Sequence, residues 1–516
     1  MATAHERIWK IRVFVSLKPS LSFTVPLSRR AQTVLGAALC ILAAVLVVLR
    51  PQWLSLPLAL LSAGIFIVGL VPGVLFLGSR APRPIPFFPL MGLYYAVFWG
   101  FSVFLVRHET WWPPGYGNAV ASVSAPVLAT ILGGVTLMLL FFQIGRLSLC
   151  RRIPTIKLPA TYPDAGLVVL LWTLLLGHLA YFFVQPLHQV PSIGQFLQPV
   201  GYLSYGMFYI LWRERRIPQW QSIIVFLFLF PAEIVGMFLE GLLTPVVLII
   251  IFMYCIQLYA TGKIRIQPFI LVPVLIVGTY HFLPTYRQLT WMQQPETVIG
   301  TLEKLDKLQY SVRKSVGEIF DWPTPNPHAT FKGRAVNPVI QRISDTVKFA
   351  YIFEKTPGEV PYWKGATYKP LLTSFMPRAL WPGKPEERLG QEFGHRYGVL
   401  QPADTITSEN VPWITEFYGN FGIAGVLLGM SLVGLLLAAL EKLFNSQQMT
   451  SLEVVTGATI LFPLFYQESN FSLMTGSILP LTVSLLIFFH GGLRLFAWFE
   501  RRWRRRGSMP SRNGLM

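Results

Sequence analysis

Charge is what this sequence has least of. Asp, Glu, Lys and Arg together make up 13% of its 516 residues, about half of what a soluble domain carries. Cysteine is nearly missing: Cys40, Cys150 and Cys255 are the whole complement, and none falls in residues 284–416. That stretch therefore has no disulfide framework and no cysteine-ligated metal site. Apolar and polar residues do not alternate with period two, which argues against a transmembrane β-barrel. No Asp-x-Asp pair exists, which disfavours metal-chelated nucleotide-sugar chemistry, and there is no P-loop, Gly-x-Ser-x-Gly elbow or His-Glu-x-x-His helix. No internal repeat is visible either, against transporters built from duplicated halves.

What the sequence does have is long apolar runs. Hydrophobic residues make up 53% of the chain, gathered in stretches close to the length that crosses a hydrocarbon core about 30 Å thick. In lipid every backbone polar group must be paired within its own segment, so such stretches are helices. The reading is an all-α polytopic integral membrane protein with about 12 transmembrane helices. They fall at 31–49, 53–78, 87–106, 119–145, 165–184, 193–212, 222–239, 241–260, 266–283, 417–440, 454–468 and 472–490. Pro273 predicts a kink in the ninth. The basic N-terminal segment lacks a small-residue cleavage site, so 31–49 reads as a retained first span.

The net charge of +19 invites a nucleic-acid site, and its distribution argues against one. With the N-terminus inside, 25 of the 43 basic residues fall in inside segments together with only six acids, while Arg50 and Arg107 alone fall in short outside loops. This is the positive-inside pattern, with anionic-lipid contact as a further use of the surplus. It places segment 1–30 and the basic tail 491–516 in the cytoplasm. Residues 284–416, between the helices of 31–283 and those of 417–490, become one large, partly helical loop on the opposite side.

Within that loop, Val298, Leu302, Leu305, Leu308, Val312, Val316 and Ile319 recur at three- and four-residue spacing and predict an amphipathic helix over 297–321. A Pro-rich break follows at 322–327. A second helix is expected over 337–354, with Ile340, Val347, Ile352 and Phe353 on its apolar face, and 356–415 reads as irregular turns lying over the membrane surface. Charge inside spans is costly, so each such residue is a candidate for function. Glu233 and Glu240 share one helix face, and Glu240, Arg287, Glu416 and Glu468 all reach the loop side. The stretch 377–396 sets Arg378, Lys384, Arg388 and Arg396 among prolines beside Trp381, a pattern suited to a phosphorylated group. His395, Glu409 and Glu416 are competing general bases, and nothing in the sequence separates them. Tyr362, Trp363, Trp381 and Trp413 offer aromatic faces for sugar stacking or interfacial anchoring.

A set of ordered pieces has a further meaning: Arg342-Ile343-Ser344-Asp345, Thr356-Pro357, Gly365-Ala366-Thr367-Tyr368, Pro377-Arg378-Ala379-Leu380-Trp381-Pro382-Gly383-Lys384-Pro385, and Glu416-Phe417-Tyr418-Gly419-Asn420-Phe421-Gly422. In this order, within this topology, the sequence resembles the Wzy-type O-antigen and oligosaccharide repeat-unit polymerases of bacterial envelopes. The resemblance implies a multi-pass glycosyltransferase of the inner membrane that joins undecaprenyl-diphosphate-linked oligosaccharides on the periplasmic face. It implies no metal or other cofactor. Membrane lipids would be partners, as would a chain-length regulator and a flippase of the same pathway, and nucleic acid would not. Arg342, Arg378, Lys384, Glu416, Tyr418 and Asn420 fall in the matched pieces. Arg287, Arg378, Lys384 and Arg388 are the expected clamp on the departing diphosphate. An O-antigen ligase would share the topology and basic loop. A flippase or transporter would instead line a path through the bilayer with charge.

Overall fold

The structure is a computed structural model describing residues 28–79, 83–107, 116, 119–159, 162–184, 186–187, 190, 193–291, 300–320, 339–374, 376, 381, 383–384, 387–405, 407–409 and 411–507. The described residues are helical, with no strand among them. Among the described residues nine helices are long and apolar enough to cross a membrane: α1 (Arg29–Val48), α2 (Leu56–Leu77), α3 (Phe87–Leu105), α4 (Ala125–Leu147), α5 (Asp164–Phe183), α7 (Gln219–Leu239), α8 (Leu243–Thr261), α14 (Trp413–Phe444) and a last segment, Phe471–Phe499. The protein is a polytopic α-helical membrane protein.

Three expected spans differ in form. α6 (Ile193–Arg213) is present as a 21-residue helix but is less apolar than the nine. It runs through the middle of the bundle, packed on α5, α8 and α15 (Ser451–Phe465), where protein replaces lipid around it. Its Tyr205 donates to Glu233 Oε2 at 2.6 Å, and His178 on α5 lies 2.8 Å from Glu233 Oε1. Glu233 is thus spent on interhelical bonding. α15 itself is short. α9 (Gln267–Tyr280) is unbroken at Pro273, and a bend of 54° separates it from α10 (Leu283–Trp291). At the other end the helix of the last span runs on past 490: α16 (Phe471–Gly476) leads into α17 (Ile478–Gly507).

The tightest packing is between α4 and α14. Gly434 makes it possible, since a Cβ there would meet the Met138 carbonyl oxygen at 2.3 Å. Small residues let helix backbones approach closely in a bundle. α14 is two rods joined at Gly422, whose φ of 66° and ψ of −154° are closed to other residues. The expected span start at 417 therefore has a separate upper rod, beginning at Trp413, that carries the whole Glu416–Phe421 piece.

The large loop supplies α11 (Thr301–Phe320), then a helical turn at 339–343, α12 (Asp345–Lys355) and α13 (Leu389–Arg396). The helix expected over 337–354 is broken at Ser344. α12 does not lie over the bundle; it enters it. Asp345 bonds Tyr94, Thr346 donates to the Trp99 carbonyl at 2.6 Å, and Phe349 packs edge-on against Trp99. Tyr94 is about 16 Å along α3 from its end at Leu105, at 1.5 Å per residue. Val347, Phe349, Ala350 and Ile352 are buried in the same core as the membrane helices, which is why this stretch leaves water.

Candidate functional site

Residues 466–472, the irregular link after α15 and the first residues of α16, form the wall shared by two clusters. Glu468 and Phe471 are three residues apart, so their Cα atoms lie within about 11 Å.

On one side, Arg342 Nη2 forms an ion pair with Glu468 Oε2. Burial opposes the Arg342 charge, but the adjacent Glu468 carboxylate outweighs it and holds the guanidinium above its ordinary pKa. Arg287 is near enough to Arg342 for their charges to interact, while its own guanidinium donates to the Gly241 carbonyl at 3.0 and 2.8 Å. Asp345 completes the group. It is 1% exposed, accepts from the Tyr94 hydroxyl at 2.7 Å, and has Lys348 at 4.0 Å. Burial pushes its carboxyl up to about 7, against the pull of Lys348. Lys348 also lies 3.8 Å from Glu409, which accepts from Tyr116 at 2.5 Å. This cluster caps a cavity of about 210 Å³ with apolar walls from α3, α8 and α9, and Arg342, Tyr94, Tyr280 and Tyr466 are its polar members.

On the other side, Glu416 is 2% exposed. Its Oε2 accepts from the Phe471 backbone N–H at 2.6 Å; Oε1 makes no hydrogen bond of ordinary geometry, with the Thr367 hydroxyl as its polar neighbour. Glu387 accepts from both Asn470 and Ser472. Beside this cluster a second apolar cavity, about 620 Å³, runs along the lower rod of α14 below Tyr368, Phe417 and Phe471.

The sequence matches a family described as a domain of unknown function (DUF8712) over residues 166–495. The chain belongs to that family. No curated protein matches it, and no solved structure does. The DUF8712 region holds Arg287, Arg342, Asp345, Glu416 and Glu468, whereas Tyr94 and Tyr116, which bond two of the site carboxylates, lie before it.

Of the residues expected from sequence, Arg287, Arg342, Glu409, Glu416 and Glu468 come together here. Asn420 supports the upper rod: its amide donates to Thr367 Oγ1 and the Glu416 carbonyl at 2.8 Å each, and its oxygen accepts from Gly365 N–H. Tyr418 donates to the Thr356 carbonyl at 3.0 Å, and Trp413 is buried edge-on against Phe471, its faces taken by protein. Others stand apart. Glu240 pairs with Lys304 at 2.6 Å, and Arg396 stacks on Trp363 while bonding the Pro361 carbonyl. Lys384 bonds the Met376 carbonyl at 3.2 Å, and Trp381 is exposed. His395 sits on α13 and Arg388 just before it, next in the chain to Glu387. Arg378 lies outside the described residues. Asp345, Tyr94 and Glu387 were missed as site residues: Asp345 sat within a quoted piece, but a tyrosine in an apolar run carries no signal of its own.

Proposed function

We propose that the protein is a Wzy-like glycosyltransferase that joins undecaprenyl-diphosphate-linked oligosaccharide repeat units on the periplasmic face of a bacterial inner membrane. In this reading the chain crosses the membrane twelve times, with both termini cytoplasmic and 284–416 periplasmic. The observation that carries it is the Arg342–Glu468 pair, with Arg287 nearby, at the head of an apolar cavity walled by membrane helices. A cationic head above an apolar slot matches a ligand made of a diphosphate and a hydrocarbon chain.

Transfer from a lipid diphosphate breaks the bond between the anomeric carbon and the diphosphate oxygen and forms one to an acceptor hydroxyl. Arg342 and Arg287 hold the charge that grows on the departing diphosphate. Glu416, with one carboxylate oxygen uncommitted, takes the proton of the acceptor hydroxyl. The second cavity, on the Glu416 side of the shared wall, supports an acceptor that is itself borne on a lipid, a property that a polymerase and a ligase share.

The test is synthesis from a purified undecaprenyl-diphosphate-linked repeat unit by the protein in nanodiscs. A ladder of products is expected. Transfer only to a lipid A core acceptor would make it a ligase, and transfer to neither would end the glycosyltransferase reading.

A further inference from the structure

α11 presents three different faces around its circumference. Lys304, Leu308, Ser311 and Ser315 recur at helical spacing and face the bundle: Lys304 pairs with Glu240, Leu308 packs on Leu243, Leu283 and Tyr286, and the Ser315 carbonyl lies 3.2 Å from the His281 ring. About a third of a turn away, apolar positions 302, 305, 312 and 316 form a stripe at spacing 3, 7 and 4, with exposed Gln309 in the middle of the same face. These are Leu302, Leu305, Val312 and Val316, which are 78%, 42%, 36% and 43% exposed. The last sector is polar and exposed, with Glu303, Asp306, Arg313 and Lys314.

The two anchors fix how the helix lies. Glu240 caps the C-terminal end of α7 and His281 that of α9. α7 and α9 run the same way, because α8 returns between them. α11 therefore lies crosswise over two helix ends at one side of the bundle. Its apolar stripe adjoins the packed face, and α9 below it exposes Phe269, Ile270, Val274 and Val277. The charged sector lies about a third of a turn beyond the stripe, so the stripe sits between the packed face and the charges.

We infer that α11 is an interfacial helix seated in the leaflet on the loop side, with Leu302, Leu305, Val312 and Val316 among the acyl chains and Arg313 and Lys314 at the headgroups. The occupant of the stripe is lipid. The seat also braces the first cavity, since Leu243, Val247, Ile276 and Tyr280 both line it and belong to the cluster on which Leu308 packs. None of this depends on the transferase reading.

Spin labels placed one at a time at 305, 312, 316 and 314, in full-length protein with its three cysteines replaced by alanine, test it in phosphatidylethanolamine–phosphatidylglycerol vesicles. Power saturation should show oxygen reaching 305, 312 and 316 several-fold better than a water-soluble nickel chelate, with the order reversed at 314. Preference for nickel at the three stripe positions would overturn the seat. So would exclusion of both reagents, which would mean a second copy of the chain covers the stripe. In protein with its native cysteines, a benzophenone amino acid at 305 should attach to lipid on illumination; attachment to protein, or none, would overturn the inference equally.

Discussion

The backbone N–H of Phe471 donates to Glu416 at 2.6 Å, so the upper rod of α14 is fastened to the same short link whose Glu468 holds Arg342. A single stretch of seven residues thereby sets the spacing between a buried carboxylate and a paired guanidinium. Glu416→Gln keeps an oxygen for the Phe471 N–H and removes the proton acceptor. It should leave thermal stability within a few degrees of wild type while lowering product formation at least ~100-fold. Thermal unfolding in detergent and the nanodisc ladder assay measure the two separately.

Arg342→Ala strips the partner from a Glu468 side chain that is almost fully buried. The variant should lose stability as well as activity, since an unpaired buried charge is costly, by about 3–5 kcal/mol when fully desolvated and less here because Arg342 is part-exposed. The double variant Arg342→Ala/Glu468→Gln should regain most of the stability and none of the activity. Recovery of both would show the pair to be a scaffold element alone.

Asp345 gives a pH signature. Its carboxyl is raised to about 7 from an ordinary value of 3.8, so the folded protein binds a proton there more tightly than the unfolded chain does. The stability this adds is complete below about pH 4 and is lost as pH rises through 7. Asp345→Asn should make the decline in melting temperature across that window shallower, with Glu416, which burial likewise pushes up to about 7, accounting for part of what is left. A wild-type profile that already lacks a decline between pH 4 and 7 would contradict the assignment.

Gly422 and Gly419 make a matched pair. Gly422→Ala forces a Cβ into φ of 66° and to 2.8 Å from the Tyr362 hydroxyl, a strain of about 1–3 kcal/mol. It should tilt the upper rod and reduce activity more than stability. At Gly419 a Cβ would meet Trp363 at 3.6 Å, ordinary contact, so Gly419→Ala should be nearly silent in both assays.

The limits of reading this sequence follow from the range of each interaction. Apolar runs and the amphipathic stripe of 297–321 are local patterns, and the helices they predict are present. The crossing helix α6 also stood out, although its neighbours, not its own composition, account for its polarity. Arg342 and Glu468 are 126 residues apart, and Tyr94 and Asp345 251; no periodicity connects such pairs. The helix carrying Pro273 is unbroken over Gln267–Tyr280, and the 54° bend lies after it, at His281 and Phe282. Val347 and Ile352 of α12 were legible as an apolar face but not as the side of a core shared with the membrane helices.

Gly422 leaves α14 as two mechanically separate pieces. The lower packs on α4, while the upper is held by Thr367 and Gly365 of the loop and by Phe471 at the start of α16. Substitutions in those contacts would re-aim the Glu416 carboxylate while the membrane-embedded framework stays as it is, so that in the proposed reaction acceptor preference would change without rebuilding the bundle.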